Sequence, residues 1–372
     1  MSFALAMIVV ACAALLSACG GGGGGATAPA QPSGTASTPA GAGASEVRFK
    51  SGADTVFGTL LFPTNASGNV PGAVILAGSG PTDRDGNSTL LSGKTDTLKD
   101  FAQVLAAHGV ASLRYDKLGT GETGLASFAS HPDDIGFDVY VREALDAVAY
   151  LRGQPGIDVN RIVIVGHSEG GLIAMVVANA MGADDGLQAL VLASPPGNGY
   201  LETIEGQLRA QFAAAVQEGS VTQARADAAN AQTQQIVDAL KTTGAYPPGL
   251  NVTDPALQSI FSKANERFLA QAEQHDPARE AAKLPAALPI LILHGDKDQQ
   301  VSDGDIARLV GALQSSAHTK VESHQLSDVD HVFKEVPGTP NPAADYTNPS
   351  LPFSSAATAK LAAFVGSLSA KG

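Results

Sequence analysis

The fold of this chain is decided by residues 161–171, which read RIVIVGHSEGG. A β-branched run breaks at Gly166, one serine stands between two glycines, and an apolar stretch follows. The pattern predicts a buried strand, a sharp turn and a helix, and the turn requires small residues such as Gly166 and Gly170 on either side of Ser168. Such a turn holds the serine hydroxyl clear of the sheet. We therefore expect Ser168 to be a nucleophile, and a glycine-lined packing turn is the alternative.

Two backbone N–H groups are candidates to hold negative charge beside this serine. The helix that follows Ser168 points its N-terminus at whatever the serine attacks, so the Glu169 N–H can donate to an oxyanion. A second donor is expected on the turn-rich loop after the predicted strand 73–77. On that loop, within residues 78–80, the Ser79 N–H is preferred, and a plain glycine turn is the alternative.

Strands alternate with helices on both sides of the turn. Apolar runs predict strands at 46–50, 55–62, 73–77, 110–114, 161–165, 189–193, 289–294 and 320–326. Helical periodicity and capping residues predict helices at 96–108, 138–152, 170–180, 303–313 and 354–368. This alternation predicts the α/β class, with a mostly parallel sheet covered by helices on both faces and an N-terminal hairpin. Residues from about 198 to 285 have apolar helical faces without a buried strand, and we interpret them as a helical cap inserted over the sheet's C-terminal edge.

The N-terminal segment has a different character. Residues 3–16 are apolar but short for a membrane span, and they end in the tetrapeptide LSAC at 16–19. This resembles a bacterial lipoprotein signal peptide at 1–19, with lipid on Cys19, although no Lys or Arg precedes the apolar stretch. Residues 20–44 are predicted to be a disordered tether rich in Gly, Ala and Pro, and residues 45–372 the folded domain. The expected location is the bacterial cell envelope, with the protein lipid-anchored at the outer membrane or facing the periplasm, and secretion is the alternative.

Composition excludes several classes of function. The net charge is −13 and no Lys or Arg cluster is present, which argues against a nucleic-acid partner. Cys12 and Cys19 are the only cysteines, so the folded domain has neither a disulfide nor a thiol nucleophile. The histidines are scattered without metal-ligand spacing, so no metal and no cofactor are expected. The expected partners are a small-molecule substrate and, through the lipid anchor, a membrane.

A serine hydroxyl is a poor nucleophile at neutral pH and needs a base that is oriented by a carboxylate. In an open parallel sheet these groups lie on loops after the strands' C-terminal ends. We expect His331 to be the base, because the other histidines lie within or next to predicted elements, and His167 in its tight turn should point away from the site. Asp298 is the preferred acid, since its place three residues beyond a glycine gives the loop room to reach the histidine. Asp296 is the alternative acid.

The chain order Ser168, Asp298, His331 resembles that of the α/β-hydrolase superfamily, over about residues 46–368. Four motifs are similar, more narrowly, to those of bacterial esterases near the serine-aminopeptidase-like and dienelactone-hydrolase-like groups. They are GSGPTDRDG at 78–86, RYDKLGTG at 114–121, GHSEG at 166–170 and HGDKD at 294–298. Four motifs in this order are far more specific than any one of them.

The resemblance implies roles for particular segments. The first motif would form the oxyanion loop, and a helical cap would follow the sixth strand of the sheet. Ala77 stands where many members of the superfamily carry a histidine. This difference bears on the shape of the oxyanion loop more than on its role. The residues that would brace the site through ion pairs are Asp83, Arg84, Asp85, Arg114 and Asp116.

The hypothesis from the sequence is a serine hydrolase that cleaves carboxylic esters through an acyl-enzyme. Ser168 would attack the carbonyl carbon while His331 takes its proton and Asp298 orients the ring. The N–H groups of Ser79 and Glu169 would hold the oxyanion.

Two other functions remain open at this point. A peptidase or amidase could use the same triad, and cap carboxylates such as Glu202 and Glu205 could bind a substrate's amino terminus, although they look like solvated helix charges. A non-catalytic envelope binding protein that kept the fold is the second alternative. Haloalkane dehalogenase chemistry is disfavoured, because it needs a carboxylate at the elbow.

Overall fold

The computed structural model describes residues 43–369, apart from residues 65, 67, 183 and 184. The predicted signal peptide, Cys19 and nearly all of the predicted tether lie outside the described residues, so anchoring through Cys19 stays a prediction. Across the described part of the chain, none of the helices combines the length and the apolar character that crossing a membrane requires.

A single eight-stranded sheet forms the centre of the molecule. Its strands are β1 Gly43–Ser51, β2 Asp54–Phe62, β3 Val70–Leu76, β4 Ala111–Tyr115, β5 Ile157–His167, β6 Leu187–Ala193, β7 Ile290–Gly295 and β8 Val321–Leu326. Their order across the sheet is β1-β2-β4-β3-β5-β6-β7-β8. β1 and β2 form an antiparallel hairpin, β2 pairs antiparallel with β4, and all later pairings are parallel. The predicted α/β fold class and the N-terminal hairpin are confirmed, and β1 begins two residues before the predicted start of the folded domain.

Helices cover both faces of the sheet. They are α1 Thr97–Ala107, α2 Phe137–Arg152, α3 Glu169–Ala180, α4 Tyr200–Gln217, α5 Gln223–Thr243, α6 Pro255–Gln258, α7 Glu266–Ala272, α8 Pro277–Lys283, α9 Asp303–Ser315, α10 Pro342–Asp345 and α11 Ser355–Ser369. Helices α1 and α11 bury their apolar side chains against one face, and α2, α3 and α9 cover the other. Successive strand residues alternate between these two cores, as Ile164 and Val165 do, which explains why the inner strands are apolar throughout.

Helices α4 to α8 lie between β6 and β7 and form the cap. Their apolar side chains, including Leu208, Phe212 and Ile236, belong to the same buried cluster as the helices on one face of the sheet. The cap is therefore packed onto the domain as part of its core. Because β6 and β7 pair side by side in the sheet, the insertion leaves and returns at neighbouring strand ends.

Candidate active site

Ser168 lies at a strained turn between β5 and α3. Its backbone has φ 53° and ψ −125°, a conformation that costs a non-glycine residue about 1–3 kcal/mol. A Cβ on Gly166 would lie 2.2 Å from the carbonyl oxygen of Gly170, and a Cβ on Gly170 would lie 2.4 Å from that of Leu76. The turn therefore excludes larger residues at both glycine positions, for the reason that the sequence pattern suggests.

His331 and Asp298 lie together on the loops after β8 and β7. The His331 Nδ1 is 2.8 Å from the Asp298 Oδ2, and the other carboxylate oxygen accepts the backbone N–H groups of Gln300 at 2.8 Å and Val301 at 3.0 Å. The Asp298 side chain is fully buried. Burial alone would raise its pKa, but the His331 ring and these hydrogen bonds outweigh burial and hold the pKa below its usual 3.8. Asp298 is therefore held as a carboxylate facing the imidazole.

Asp296, the alternative acid, is placed differently. Its residue is exposed, and its Oδ1 accepts the backbone N–H of Asp328 at 2.7 Å. This contact joins the loop after β7 to the loop after β8. Of the two carboxylates considered from the sequence, the structure brings Asp298 to His331 and gives Asp296 a contact within the loops.

Ser168 and His331 line the same cavity, which we call the loop cavity. It has a volume of about 680 Å³, and its lining includes Ser79, Thr95 and Tyr346. Among the described residues, no hydrogen bond joins the Ser168 hydroxyl to His331. A serine Oγ can move between staggered χ1 rotamers, and catalytic hydrogen bonds in unliganded enzymes are often long until substrate binds.

The predicted orientation of His167 is wrong. Its ring lines the loop cavity, its Nε2 lies 2.9 Å from the His331 backbone oxygen, and the two imidazole centroids are 4.9 Å apart. Burial and the neighbouring His331 lower the pKa of His167 to about 3, so its ring stays neutral at physiological pH. His167 therefore donates a hydrogen bond that holds the backbone of the His331 loop.

His294 is a second histidine near the acid that the sequence did not associate with the site. Its Nδ1 is 3.7 Å from the Asp298 Oδ2, and its Nε2 is 3.2 Å from the Asp303 Oδ1. The ring thus lies beside the buried carboxylate and links it to the start of α9. Its position in the sequence could have indicated this, because His294 lies near the end of β7, four residues before Asp298.

The loop after β3 passes directly beside Ser168. A Cβ on Gly78 would lie 3.1 Å from the Ser168 Cβ, so a larger residue there would push the loop and the elbow apart by a few tenths of an ångström. Ser79 lines both the loop cavity and a second cavity next to it. Within the described chain, neither the Ser79 nor the Glu169 backbone N–H donates to a protein acceptor. Both donors therefore remain available beside the serine.

Ion pairs brace this loop, largely as the resemblance implies. The Arg84 guanidinium bonds the Asp116 carboxylate at 2.7 and 3.0 Å, and it also contacts Glu46 and Glu122. A second ion pair joins the Arg114 Nε to the Asp85 Oδ1 at 2.9 Å. Asp83 differs from the expectation. Its Oδ1 accepts the backbone N–H groups of residues 85 and 87, so within the described chain it closes a turn and forms no ion pair.

A second cavity, the cap cavity, opens on the other side of Ser168. Its volume is about 400 Å³, and it lies between the elbow and the first cap helix. Its lining is mostly apolar and includes Leu172, Tyr200, Thr203 and Ile204. Ser168 therefore lines both cavities.

The cap carboxylates considered for a peptidase do not reach these cavities. Glu202 is exposed, and Glu205 pairs with Arg209 at 2.6 Å on the same helix. Neither side chain lines the loop cavity or the cap cavity. The described residues also contain no group of three or more His, Cys, Asp or Glu side chains that could hold a metal ion.

Two buried side chains near the site were missed from the sequence. Lys117 lies inside the motif at 114–121, for which the sequence resemblance implies roles only for Arg114 and Asp116, and Tyr200 lies near the start of the predicted cap. The sequence feature that could have indicated a role for Lys117 is its charge within a recognised motif, which forms a buried loop. Nothing local marks Tyr200, because its contact with the elbow depends on how the cap docks.

Comparison with known proteins places this geometry in context. Residues 91–326 match the sequence profile of a family described as serine aminopeptidase, S33. Esterase EstD of Thermotoga maritima is 26% identical over 289 residues, which are 77% of this chain and 60% of that protein, so the chain spans about three fifths of that relative's length.

Solved structures show the same fold. The structure of Est1E from Butyrivibrio proteoclasticus with bound ferulic acid matches with a TM-score of 0.53 at 18% identity, covering 87% of this chain and all of that one. The Pyrococcus furiosus esterase PF2001 matches with a TM-score of 0.50 at 15% identity, covering 78% and 82% of the two chains.

Proposed function

This chain belongs to the serine aminopeptidase S33 family of α/β-hydrolases, and from that premise we propose that it hydrolyses carboxylic esters through an acyl-enzyme on Ser168. The relation to an esterase supports ester hydrolysis as the general activity. The finer assignment, a serine nucleophile with His331 and Asp298, rests on the site geometry.

One observation carries the proposal. A buried histidine, whose Nδ1 lies 2.8 Å from the fully buried Asp298 carboxylate, opens onto the cavity that also holds the strained elbow serine. An ionised, buried carboxylate on Nδ1 fixes the imidazole tautomer that leaves Nε2 free to accept a proton.

The chemistry follows from this arrangement. The His331 Nε2 takes the hydroxyl proton as the Ser168 oxygen attacks the ester carbon, and the carbonyl π electrons move onto the oxygen. The Ser79 and Glu169 N–H groups stabilise that oxyanion, while Asp298 stabilises the imidazolium. Collapse of the tetrahedral intermediate breaks the carbon–oxygen bond, and His331 protonates the leaving alcohol. Water, deprotonated by the same imidazole, then hydrolyses the acyl-enzyme and regenerates the serine.

The two cavities indicate the kind of ester. The cap cavity has a mostly apolar lining, which suits an aliphatic or aromatic group of the substrate. The loop cavity is larger and carries more hydroxyl groups, including those of Thr82, Ser88 and Thr95. Because Glu202 and Glu205 do not reach these spaces, we favour an ester over a peptide with a free amino terminus.

The test uses p-nitrophenyl esters and a fluorophosphonate probe on the wild type and on Ser168→Ala. We expect the wild type to hydrolyse the ester and to be labelled on one serine, and we expect Ser168→Ala to lose both properties, with kcat lower by at least about 10⁴-fold. An aminoacyl p-nitroanilide assayed in parallel separates ester from amide preference. Equal labelling of the two proteins would remove Ser168 from the mechanism.

A further inference from the structure

Lys117 is a buried cation next to the site that the mechanism above does not use. Its side chain is 8% exposed, and it follows β4 in a loop fixed from several sides. Thr120 donates to the Lys117 carbonyl through its N–H at 3.0 Å and its hydroxyl at 2.8 Å, and the next N–H, of Leu118, donates to the Glu143 carboxylate at 3.1 Å. The backbone of Lys117 is therefore a rigid base from which its side chain extends.

The Lys117 ammonium contacts the peptide that carries one oxyanion donor. Its Nζ donates to the carbonyl oxygen of Gly78 at 2.6 Å. That carbonyl shares a planar trans peptide with the Ser79 N–H, so the two groups point in opposite directions. Holding the oxygen on Lys117 therefore fixes the direction of the Ser79 N–H, next to Ser168.

The same ammonium also contacts the residue that carries the other donor. The Lys117 Nζ is 3.5 Å from the Glu169 Oε1, and the Tyr200 hydroxyl donates to the Glu169 Oε2. Both side chains of the ion pair are buried, and the ring of Tyr140 lies 5.4 Å from the ammonium. Tyr200 is the first residue of the first cap helix, so a buried chain of contacts runs from the oxyanion loop to the cap.

We propose that Lys117 is a positioning residue, which aligns the Ser79 N–H for the oxyanion and, through Glu169 and Tyr200, joins that alignment to the seating of the cap. Lys117 lines neither cavity, so it acts on the reaction through the peptide it holds and not by touching substrate. The inference rests on the proposed function, since it concerns the oxyanion of an acyl transfer.

The two roles open to a buried lysine predict different measurements. A positioning role lowers kcat per active enzyme molecule. A misdirected Ser79 N–H stabilises the transition state less well and leaves the binding of the substrate unchanged. A purely structural role lowers the fraction of folded enzyme and leaves the rate of each folded molecule unchanged. Active-site titration with a fluorophosphonate distinguishes them, since it counts competent molecules.

The experiment compares Lys117→Met, which keeps length but removes the charge, with Lys117→Arg, which keeps a cationic donor. For Lys117→Met we expect kcat per titrated site to fall about 30- to 300-fold with KM changed less than about threefold. A trifluoromethyl ketone, whose hemiketal with Ser168 carries an oxyanion, should lose affinity in proportion to kcat/KM. Lys117→Arg should recover at least about a tenth of the wild-type kcat.

Tyr200→Phe tests the connection to the cap even where Lys117→Met folds poorly. It removes a single hydroxyl from Glu169, and we expect kcat to fall about three- to tenfold. Tyr246→Phe is the matched control, because its hydroxyl donates to the Ser262 carbonyl at 3.0 Å within the cap and should leave kcat unchanged.

The outcomes are distinguishable. This inference alone would be overturned if the wild type is active and both Lys117→Met and Tyr200→Phe fold and keep kcat per titrated site within threefold of the wild-type value. A wild type that neither hydrolyses esters nor reacts with the fluorophosphonate would overturn the proposed function, and this inference with it.

Discussion

Replacing Asp298 by asparagine tests, with almost no change in side-chain volume, whether Asp298 orients His331 as the proposed base. In the wild type, Oδ1 of this side chain accepts two backbone N–H groups, from Gln300 and Val301, and Oδ2 faces the His331 Nδ1. An asparagine oxygen is the only group that can accept those two N–H donors. Its NH₂ group must therefore face His331.

The expected magnitude follows from the tautomer that this arrangement imposes. An NH₂ donor facing Nδ1 requires Nδ1 to be an acceptor, which places the imidazole proton on Nε2, where the Ser168 proton must go. The wrong tautomer and the loss of the carboxylate that stabilises the imidazolium lower kcat by about 10⁴-fold, or about 5.5 kcal/mol in activation free energy. Substrate binding in the cavities is unaffected, so KM should change little.

The matched control is Asp296→Asn, in the same loop. Its oxygen accepts one backbone N–H at 2.7 Å, a contact that an asparagine oxygen also makes, so we expect activity within about threefold of the wild type. Both variants are assayed for kcat and KM on a p-nitrophenyl ester, with thermal unfolding to verify folding. A fall of 10³-fold or more in Asp296→Asn, with Asp298→Asn active, would refute the assignment of the acid.

Three further predictions concern pH and substrate size. Between pH 6.5 and about 3, only the unfolded chain binds a proton at His167. The free energy of unfolding therefore falls as pH falls through this range, by up to about 5 kcal/mol. Urea titrations at several pH values should show that His167→Gln removes this dependence. Burial raises the pKa of Glu143 from 4.5 to about 8, so between these values the folded chain keeps a proton that the unfolded chain loses. The wild type should therefore lose up to about 5 kcal/mol relative to Glu143→Gln as pH rises through that range. Thr203→Phe should fill the cap cavity and lower kcat/KM for longer acyl chains by about fourfold per excluded methylene, with acetate esters unchanged.

Each of these predictions has an outcome that contradicts it. A wild type and a His167→Gln variant with parallel stability curves from pH 4 to 6.5 would mean that the ring is protonated in the folded chain. A constant difference between wild type and Glu143→Gln from pH 5 to 8 would mean that the buried carboxyl group titrates normally. An unchanged chain-length profile in Thr203→Phe would place the acyl group outside the cap cavity.

Local sequence patterns predicted the elements around the elbow well, because short-range rules fix them. The β-branched run at 161–165 lies within β5, and the turn at Ser168 needs glycines that the sequence supplies on both sides. Parallel strands end at one edge of the sheet, which is why the loops after β7 and β8 could be named as the places for an acid and a base. The loop after β7 holds two carboxylates, Asp296 and Asp298, and the path of the loop decides which one faces His331. Residue spacing favoured Asp298, because it lies three residues beyond a glycine.

The remaining parts of the site depend on contacts between distant segments. The orientation of His167 was mispredicted because its ring is held by the backbone of residue 331, 164 residues further along. Likewise, the contact of Tyr200 with Glu169 follows from how the cap helix docks, which no local pattern encodes. Lys117 lay within a recognised motif, but its carbonyl partner on the neighbouring strand's loop becomes visible only in the folded chain.

The central claim is that Ser168 carries the acyl group during turnover. The direct measurement is peptide mass spectrometry after rapid acid quenching of the enzyme during hydrolysis of a p-nitrophenyl ester, with Ser168→Ala treated in the same way. We expect an acyl mass increment on the peptide that contains Ser168 and none in the variant. An active enzyme with the acyl group on another residue, or a Ser168→Ala variant with wild-type turnover, would contradict it.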